Sequence, residues 1–289
     1  MTERNKIGLV AGGGKYPVLF AREAVKRGDA VFTAGLKNAP DELGGLSERM
    51  ESFRLGQVSA LLEFFRRNGV TKIVMTGLVR HGSIFANLWP DLRAARILAS
   101  LKDTRAETIF AAVEAEFKSE GIELLSTATY LEHLLAKPGV LAGPAPDRKQ
   151  AGNIRFGWTI AKALSAVDVG LACAVCDRSV LALEAMEGTD ECIRRAGRIY
   201  RAEIAGGNTA RSRSSGPVVV KVARPRQDMR FDLPVIGKGT VEAAVEAGVP
   251  VLAVEAGKTM VFDLEEVLDM ARRNAITVIA LSEGLRELD

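Results

Sequence analysis

Short apolar runs alternate with amphipathic stretches along this chain, and that alternation restricts it to few architectures. Lys6–Ala11, Ala30–Ala34, Arg49–Leu55, Thr71–Thr76 and Ile122–Leu125 read as strands. Between them, Pro17 opens a helical pattern (Val18, Leu19, Phe20, Ala21, Ala24, Val25) that Gly28 stops. Gln57–Asn68 is amphipathic and stops at Gly69. Thr104–Ser119 carries a capping pair, Thr104 with Glu107, and a following Gly121. Strands alternating with helices predict a parallel sheet with helices on both faces, a Rossmann-like N-terminal domain. In such sheets ligands sit beyond the carboxyl ends of the strands.

The densest proline–glycine stretch, Lys137-Pro138-Gly139 to Gly143-Pro144-Ala145-Pro146, marks a boundary. It predicts an N-terminal domain over 1–136, a linker over 137–146 and a second domain over 147–289. A chain of 289 residues is long enough for two cores. In the second half a long helix is expected from Asp147 to Ser165, and Asp177-Arg178 reads as the turn of a hairpin between Leu171–Cys176 and Ser179–Glu184. Further strands (Val218–Val222, Val251–Val254, Thr259–Phe262, Thr277–Leu281) alternate with helices (Gly239–Ala247, Glu265–Arg273), so this half is also α/β. Val180-Leu181-Ala182-Leu183-Glu184-Ala185 nearly repeats as Val251-Leu252-Ala253-Val254-Glu255-Ala256. The two copies mark equivalent strands leading to one site, or a convergence of apolar-rich sequence.

Composition excludes several classes. A net charge of +3 gives no footing for nucleic acid. No apolar run reaches the length of a membrane span. Met1–Lys6 lacks the apolar core of a signal peptide, and three cysteines do not make a disulfide framework. A cytoplasmic location is expected. Cys173 and Cys176 lie in an apolar run with no second pair and no nearby histidine, so they read as small buried hydrophobes.

Several stretches carry candidate chemistry. Gly12-Gly13-Gly14 joins the first strand to the first helix, where backbone N–H groups can receive phosphate. Pro17 replaces the last glycine of a dinucleotide fingerprint, and a ligand-free tight turn is the other reading. Gly77-Leu78-Val79-Arg80 falls at the end of the fourth strand, so both loops are expected to line one site. Arg80 is a phosphate contact or a solvated arginine, and His81 reads as a loop histidine. Ser83–Pro90 is apolar enough for an acyl pocket, a membrane contact, or packing on its own domain. Glu187-Gly188-Thr189-Asp190 offers two carboxylates at a helix start, with Thr189 as the expected N-cap. They serve the helix dipole, or a metal or ribose. Ala205–Gly216 has loop composition; Arg211 and Arg213 close over a diphosphate or are solvated. His133 reads as structural. In Gln227–Gly237, Asp228, Arg230 and Asp232 alternate, so extended backbone would place them on one face. An edge strand with a polar face is the plainer alternative.

The run Gln-Asp-x-Arg-x-Asp-x-Pro-x-Ile-Gly resembles the signature of the UDP-2,3-diacylglucosamine pyrophosphatase family of lipid A biosynthesis, the metal-dependent family rather than the calcineurin-like one. Ile7–Pro17, Ala182–Asp190 and Ala253–Gly257 fit in family order, whereas His81-Gly82 departs from the Arg-Pro of some relatives. The resemblance implies Mg²⁺ or another divalent cation, with Asp232 as the essential carboxylate and Glu187 and Asp190 as partner ligands. It implies catalytic roles for Asp228 and Arg230, and a phosphate or nucleotide contact for Gly12, Gly13, Gly14 and Arg80. It implies a lipid-linked nucleotide-sugar substrate, transient contact with the inner-membrane surface, a homodimer, and an active site in the cleft between the domains. A nucleotide-dependent oxidoreductase or transferase, and a non-catalytic nucleotide-sugar-binding protein, remain as other readings.

Overall fold

The computed structural model describes residues 4–79, 90–102, 106–205, 216–231 and 233–288. The chain forms two compact units. The first holds Met1–His133 and takes back Asp228–Asp232; the second holds Leu134–Gln227 and Leu233–Asp289.

In the first unit, the described elements run β1 (Lys6–Ala11), α1 (Tyr16–Lys26), β2 (Ala30–Gly35), β3 (Arg49–Ser52), α2 (Val58–Arg67), β4 (Lys72–Thr76), α3 (Leu92–Ser100), α4 (Ala106–Ser119) and β5 (Glu123–Leu124). The strands pair in parallel in the order β3-β2-β1-β4-β5. The expected Rossmann-like sheet is therefore present. The direction of winding reverses between β1 and β4, which makes the gap beyond their carboxyl ends the switch point where ligands bind in such sheets. Helical spacing explains the packing. Leu61, Leu62, Phe64 and Phe65 fall on one face of α2 and are all buried. Each fully buried phenylalanine contributes roughly 1.5–3 kcal/mol relative to exposure.

The second unit runs β6 (Gly139–Ala142), α5 (Arg148–Ala166), β7 (Ala172–Cys176), β8 (Ser179–Leu183), α6 (Thr189–Tyr200), β9 (Val218–Lys221), β10 (Val235–Ile236), α7 (Lys238–Ala247), β11 (Val251–Glu255), β12 (Met260–Val261), α8 (Leu264–Arg273) and β13 (Thr277–Leu281). Its main sheet has the order β6-β13-β11-β9-β7-β8, with β9, β11 and β13 parallel and β6 and β7 antiparallel to their neighbours. Asp147 caps α5 in a reciprocal box with Gln150. Gly157 lets α5 settle on the sheet, because a Cβ there would lie 2.8 Å from the Val220 side chain.

The hairpin forms as expected. Asp177 and Arg178 both take positive φ, 47° and 58°, the twist that a two-residue hairpin turn needs. Three local expectations change. The stretch 137–146 is not all connecting chain, since Gly139–Ala142 adds a strand to the edge of the second sheet through β13. Gly188, not Thr189, caps α6; its φ of 83° suits glycine, and the Thr189 hydroxyl instead donates to the Glu184 carboxylate at 2.6 Å. Residues 228–231 are a turn rather than extended chain. The Phe231 N–H donates to the Asp228 carbonyl at 3.1 Å, and the Asp228 carboxylate accepts the Arg230 N–H at 3.0 Å. An aspartate that bonds the backbone two residues on offers the chain a turn in place of a ladder.

Candidate active site

The glycine loop and the end of β4 are built against each other. Gly12 donates to the Thr76 carbonyl at 2.8 Å, and Gly13 and Leu78 exchange two backbone bonds at 3.0 and 2.8 Å. The N–H groups of Gly12 and Gly13 are thus spent on joining two strand ends. A dinucleotide loop needs those donors for pyrophosphate, so the oxidoreductase reading loses support here. Gly14 is different. Its φ is +89°, and among the described residues, its two chain neighbours aside, no atom lies within 4 Å of where its Cβ would stand. It leads into α1, whose N-cap Lys15 makes no side-chain capping bond and whose first turn holds Pro17. The Thr76 carbonyl holds Gly12, and the Thr76 hydroxyl is buried with no partner among the described residues. A buried unpaired hydroxyl at a switch point fits a site that expects a polar ligand. Arg80, His81 and 83–89 of the apolar stretch lie outside the described residues, as do Arg211 and Arg213.

The turn 228–231 is gripped by the first unit at three consecutive residues. The Met229 carbonyl accepts the Thr127 N–H at 3.0 Å, the Ser126 hydroxyl at 2.9 Å and the Thr127 hydroxyl at 3.2 Å. Arg230 sends Nη1 to Glu114 on α4. Phe231 lies flat on Phe110, also on α4, with ring centroids 4.3 Å apart and planes 15° from parallel. The Tyr16 hydroxyl, at the start of α1, donates to the Thr127 carbonyl at 3.0 Å, which links the glycine-loop helix to this turn. Burial pushes Tyr16 up to about 12, so it stays a neutral donor.

Within the turn, Arg230 forks onto its neighbour, with Nε 2.9 Å from Asp228 Oδ1 and Nη2 2.7 Å from Oδ2. This bond holds the Asp228 carboxyl below the usual carboxylate range. The Arg230 guanidinium therefore faces two carboxylates, Asp228 and Glu114. Asp232, next in the chain, lies outside the described residues.

In the second unit, Glu187 ion-pairs with Arg195 at 2.6 Å and accepts the Ala185 N–H at 3.2 Å. Asp190 accepts the Thr240 hydroxyl at 3.0 Å. Among the described residues no three acidic, cysteine or histidine side chains converge as metal donors. The described residues therefore do not form a preformed cation cage. Sequence reasoning missed two buried charge clusters at the carboxyl ends of the strands. Glu255, 1 % exposed, accepts from Lys162 at 2.6 Å, Lys258 at 2.8 Å and the Ala223 N–H at 2.8 Å. Glu184, 8 % exposed, accepts the Leu171 N–H at 3.0 Å and lies 3.9 Å from Lys221. The near-repeat was the available signal: each copy carries one of these glutamates as its fifth residue.

Comparison with known proteins covers nearly the whole chain. The family models of the LpxI N-terminal domain and the LpxI C-terminal domain match residues 6–134 and 137–279. The curated UDP-2,3-diacylglucosamine pyrophosphatase LpxI of Caulobacter vibrioides is 29 % identical over 269 residues, spanning 92 % of this chain and 94 % of that protein.

Proposed function

The chain belongs to the LpxI family, and from that premise we propose that it hydrolyses the diphosphate of UDP-2,3-diacylglucosamine to UMP and 2,3-diacylglucosamine 1-phosphate in lipid A biosynthesis. Water adds to one phosphorus, the bridging P–O bond breaks, and the proton of the attacking water passes to solvent. The problem is charge: a diphosphate repels an incoming hydroxide, so catalysis must neutralise it and place the water in line.

The observation that supports this reading beyond family membership is the grip of Thr127, Glu114 and Phe110 on Met229, Arg230 and Phe231. It brings the most distinctive stretch of the sequence into the unit that carries the glycine loop. In our reading Gly14 and the first turn of α1 receive a phosphate, with the Thr76 hydroxyl as a further contact. The motif resemblance makes Asp232 the carboxylate at the chemistry. Asp228 and Arg230 hold the turn that precedes it.

A divalent cation such as Mg²⁺, when bound, supplies charge neutralisation and a polarised water. Glu187 and Asp190 are already held by Arg195 and Thr240, so the ligand set we favour is Asp232 with diphosphate oxygens and water. Mg²⁺ is commonly held this way, by one or two carboxylates plus substrate. No described helix is long and apolar enough to cross a membrane. The substrate's acyl chains nonetheless require an encounter with a membrane surface, and we read the protein as a cytoplasmic homodimer that meets it transiently.

The test is a mass-spectrometric assay with UDP-2,3-diacylglucosamine, with Mg²⁺ and with EDTA, beside Asp232→Ala. UMP and the sugar 1-phosphate are expected together, with metal only, and not from a folded Asp232→Ala. Absence of both products with every divalent cation tried overturns the reading, and ligand binding without turnover replaces it.

A further inference from the structure

The residues just before the proposed catalytic Asp232 in sequence, 228–231, form an irregular turn, and turns are placed by what holds them. Fixing one residue's backbone costs roughly 1–2 kcal/mol of conformational entropy, so an ungripped turn of this length samples many positions. Reacting groups tolerate little of that, since a displacement of about 1 Å can cost on the order of a hundredfold in rate.

Phe110 and Glu114 are four residues apart on α4, so they share one face of that helix. They receive two consecutive residues of the turn. Phe110 stacks on Phe231, and Glu114 takes the Nη1 side of Arg230. The Glu114–Arg230 contact joins residues 116 apart in the chain. Arg230 faces two ways. Its Nε and Nη2 close the turn on Asp228, while Nη1 ties the turn to the helix. The two functions are separable: removing the Glu114 charge leaves the fork on Asp228 intact and removes the ionic tie to α4, with the Phe110–Phe231 stack as the remaining one.

We propose that Glu114 and Phe110 are positioning residues for the hydrolytic reaction, acting through Arg230 and Phe231 to hold the chain that leads into Asp232. The proposal rests on the hydrolase reading. It assigns α4, outside the glycine loop and the signature run, a part in catalysis.

The test uses full-length protein and compares wild type, Glu114→Gln, Phe110→Leu, Arg230→Lys and the double variant Glu114→Gln/Arg230→Lys. Steady-state kinetics are measured well below the melting temperature, and amide hydrogen exchange is followed at Arg230 and Phe231. Glu114→Gln is expected to lower kcat about tenfold with KM within about twofold, and to speed exchange at those amides. In the Arg230→Lys background the same change is expected to add little, since both act on one contact. A purely structural role predicts a lower melting temperature with kcat unchanged, and that result overturns the proposal. If Glu114→Gln does not fold, Phe110→Leu decides by the same two readouts. If wild type itself shows no turnover, the hydrolase reading fails; unaltered exchange in the variants would then overturn the anchoring too.

Discussion

Gly12 and Gly77 pass each other with no room for a side chain on either. A Cβ on Gly12 would stand 2.8 Å from the Gly77 carbonyl carbon, and one on Gly77 would stand 2.7 Å from that of Gly12. Both obstacles are backbone and cannot rotate away. Gly77 also has φ +95°, where an L side chain is strained. We expect Gly77→Ala to destabilise the protein by about 2 kcal/mol or more and to weaken UMP binding. Gly44→Ala, with nothing among the described residues beyond its chain neighbours within 4 Å, should stay within about 0.5 kcal/mol. Urea unfolding and calorimetric titration with UMP check both; equal effects from the two substitutions would remove the close approach as the cause.

Much of this architecture was legible in the sequence, because period and punctuation are local. The parallel first sheet follows from strands alternating with helices, and the hairpin from Asp177-Arg178. What was not legible depended on distant partners or on competition within a few residues. Asp228, Arg230 and Asp232 alternate like a strand, yet the Asp228 carboxylate captures the Arg230 N–H and makes a turn. Gly139–Ala142 looks like a linker until β13 supplies a ladder for it. Of the candidate site, the glycine loop and the signature run announce themselves by motif. Glu114, Phe110, Ser126 and Thr127 carry no local mark, because each acquires meaning only through a turn about a hundred residues away.

The Asp228–Arg230 bond predicts a pH response. The folded carboxyl titrates lower than the unfolded one, whose value is about 3.9. Its contribution is then fully present above the unfolded value and disappears as pH falls through the folded one. The stability difference between wild type and Asp228→Asn should be flat above about pH 5 and shrink toward pH 3. Denaturant midpoints across that range measure it. A difference that grows on acidification would reverse the assigned sign.

The thiols should be silent in the native state. All three cysteines are buried, and burial pushes Cys173 up to about 12 and Cys192 up to about 11. The thiolate is the reactive form, so neither access nor ionisation favours reaction. Treatment with a disulfide reagent near pH 8 should consume no thiol in folded protein and all three after unfolding. A rapid native reaction would expose an opening of the β7–α6 region.

The Glu255 cluster should dominate the stability of the second unit. Its side chain is 2 % exposed and is held by Lys162, Lys258 and the Ala223 N–H. Removing one member of a buried pair leaves an uncompensated charge, with a typical cost of about 3–5 kcal/mol. Glu255→Ala should reach that range, since it strips two lysines and a backbone donor at once. Lys162→Met should cost less, because Lys258 still neutralises Glu255. The double variant should cost less than the sum of the two, as the lysine no longer faces a missing partner. Trp158, buried on α5 and 5.4 Å from the Lys162 ammonium, reports the transition, with Trp89→Phe as the background. If Glu255→Ala and Lys162→Met simply add, the two charges are not coupled, and Lys258 and the Ala223 N–H carry the effect.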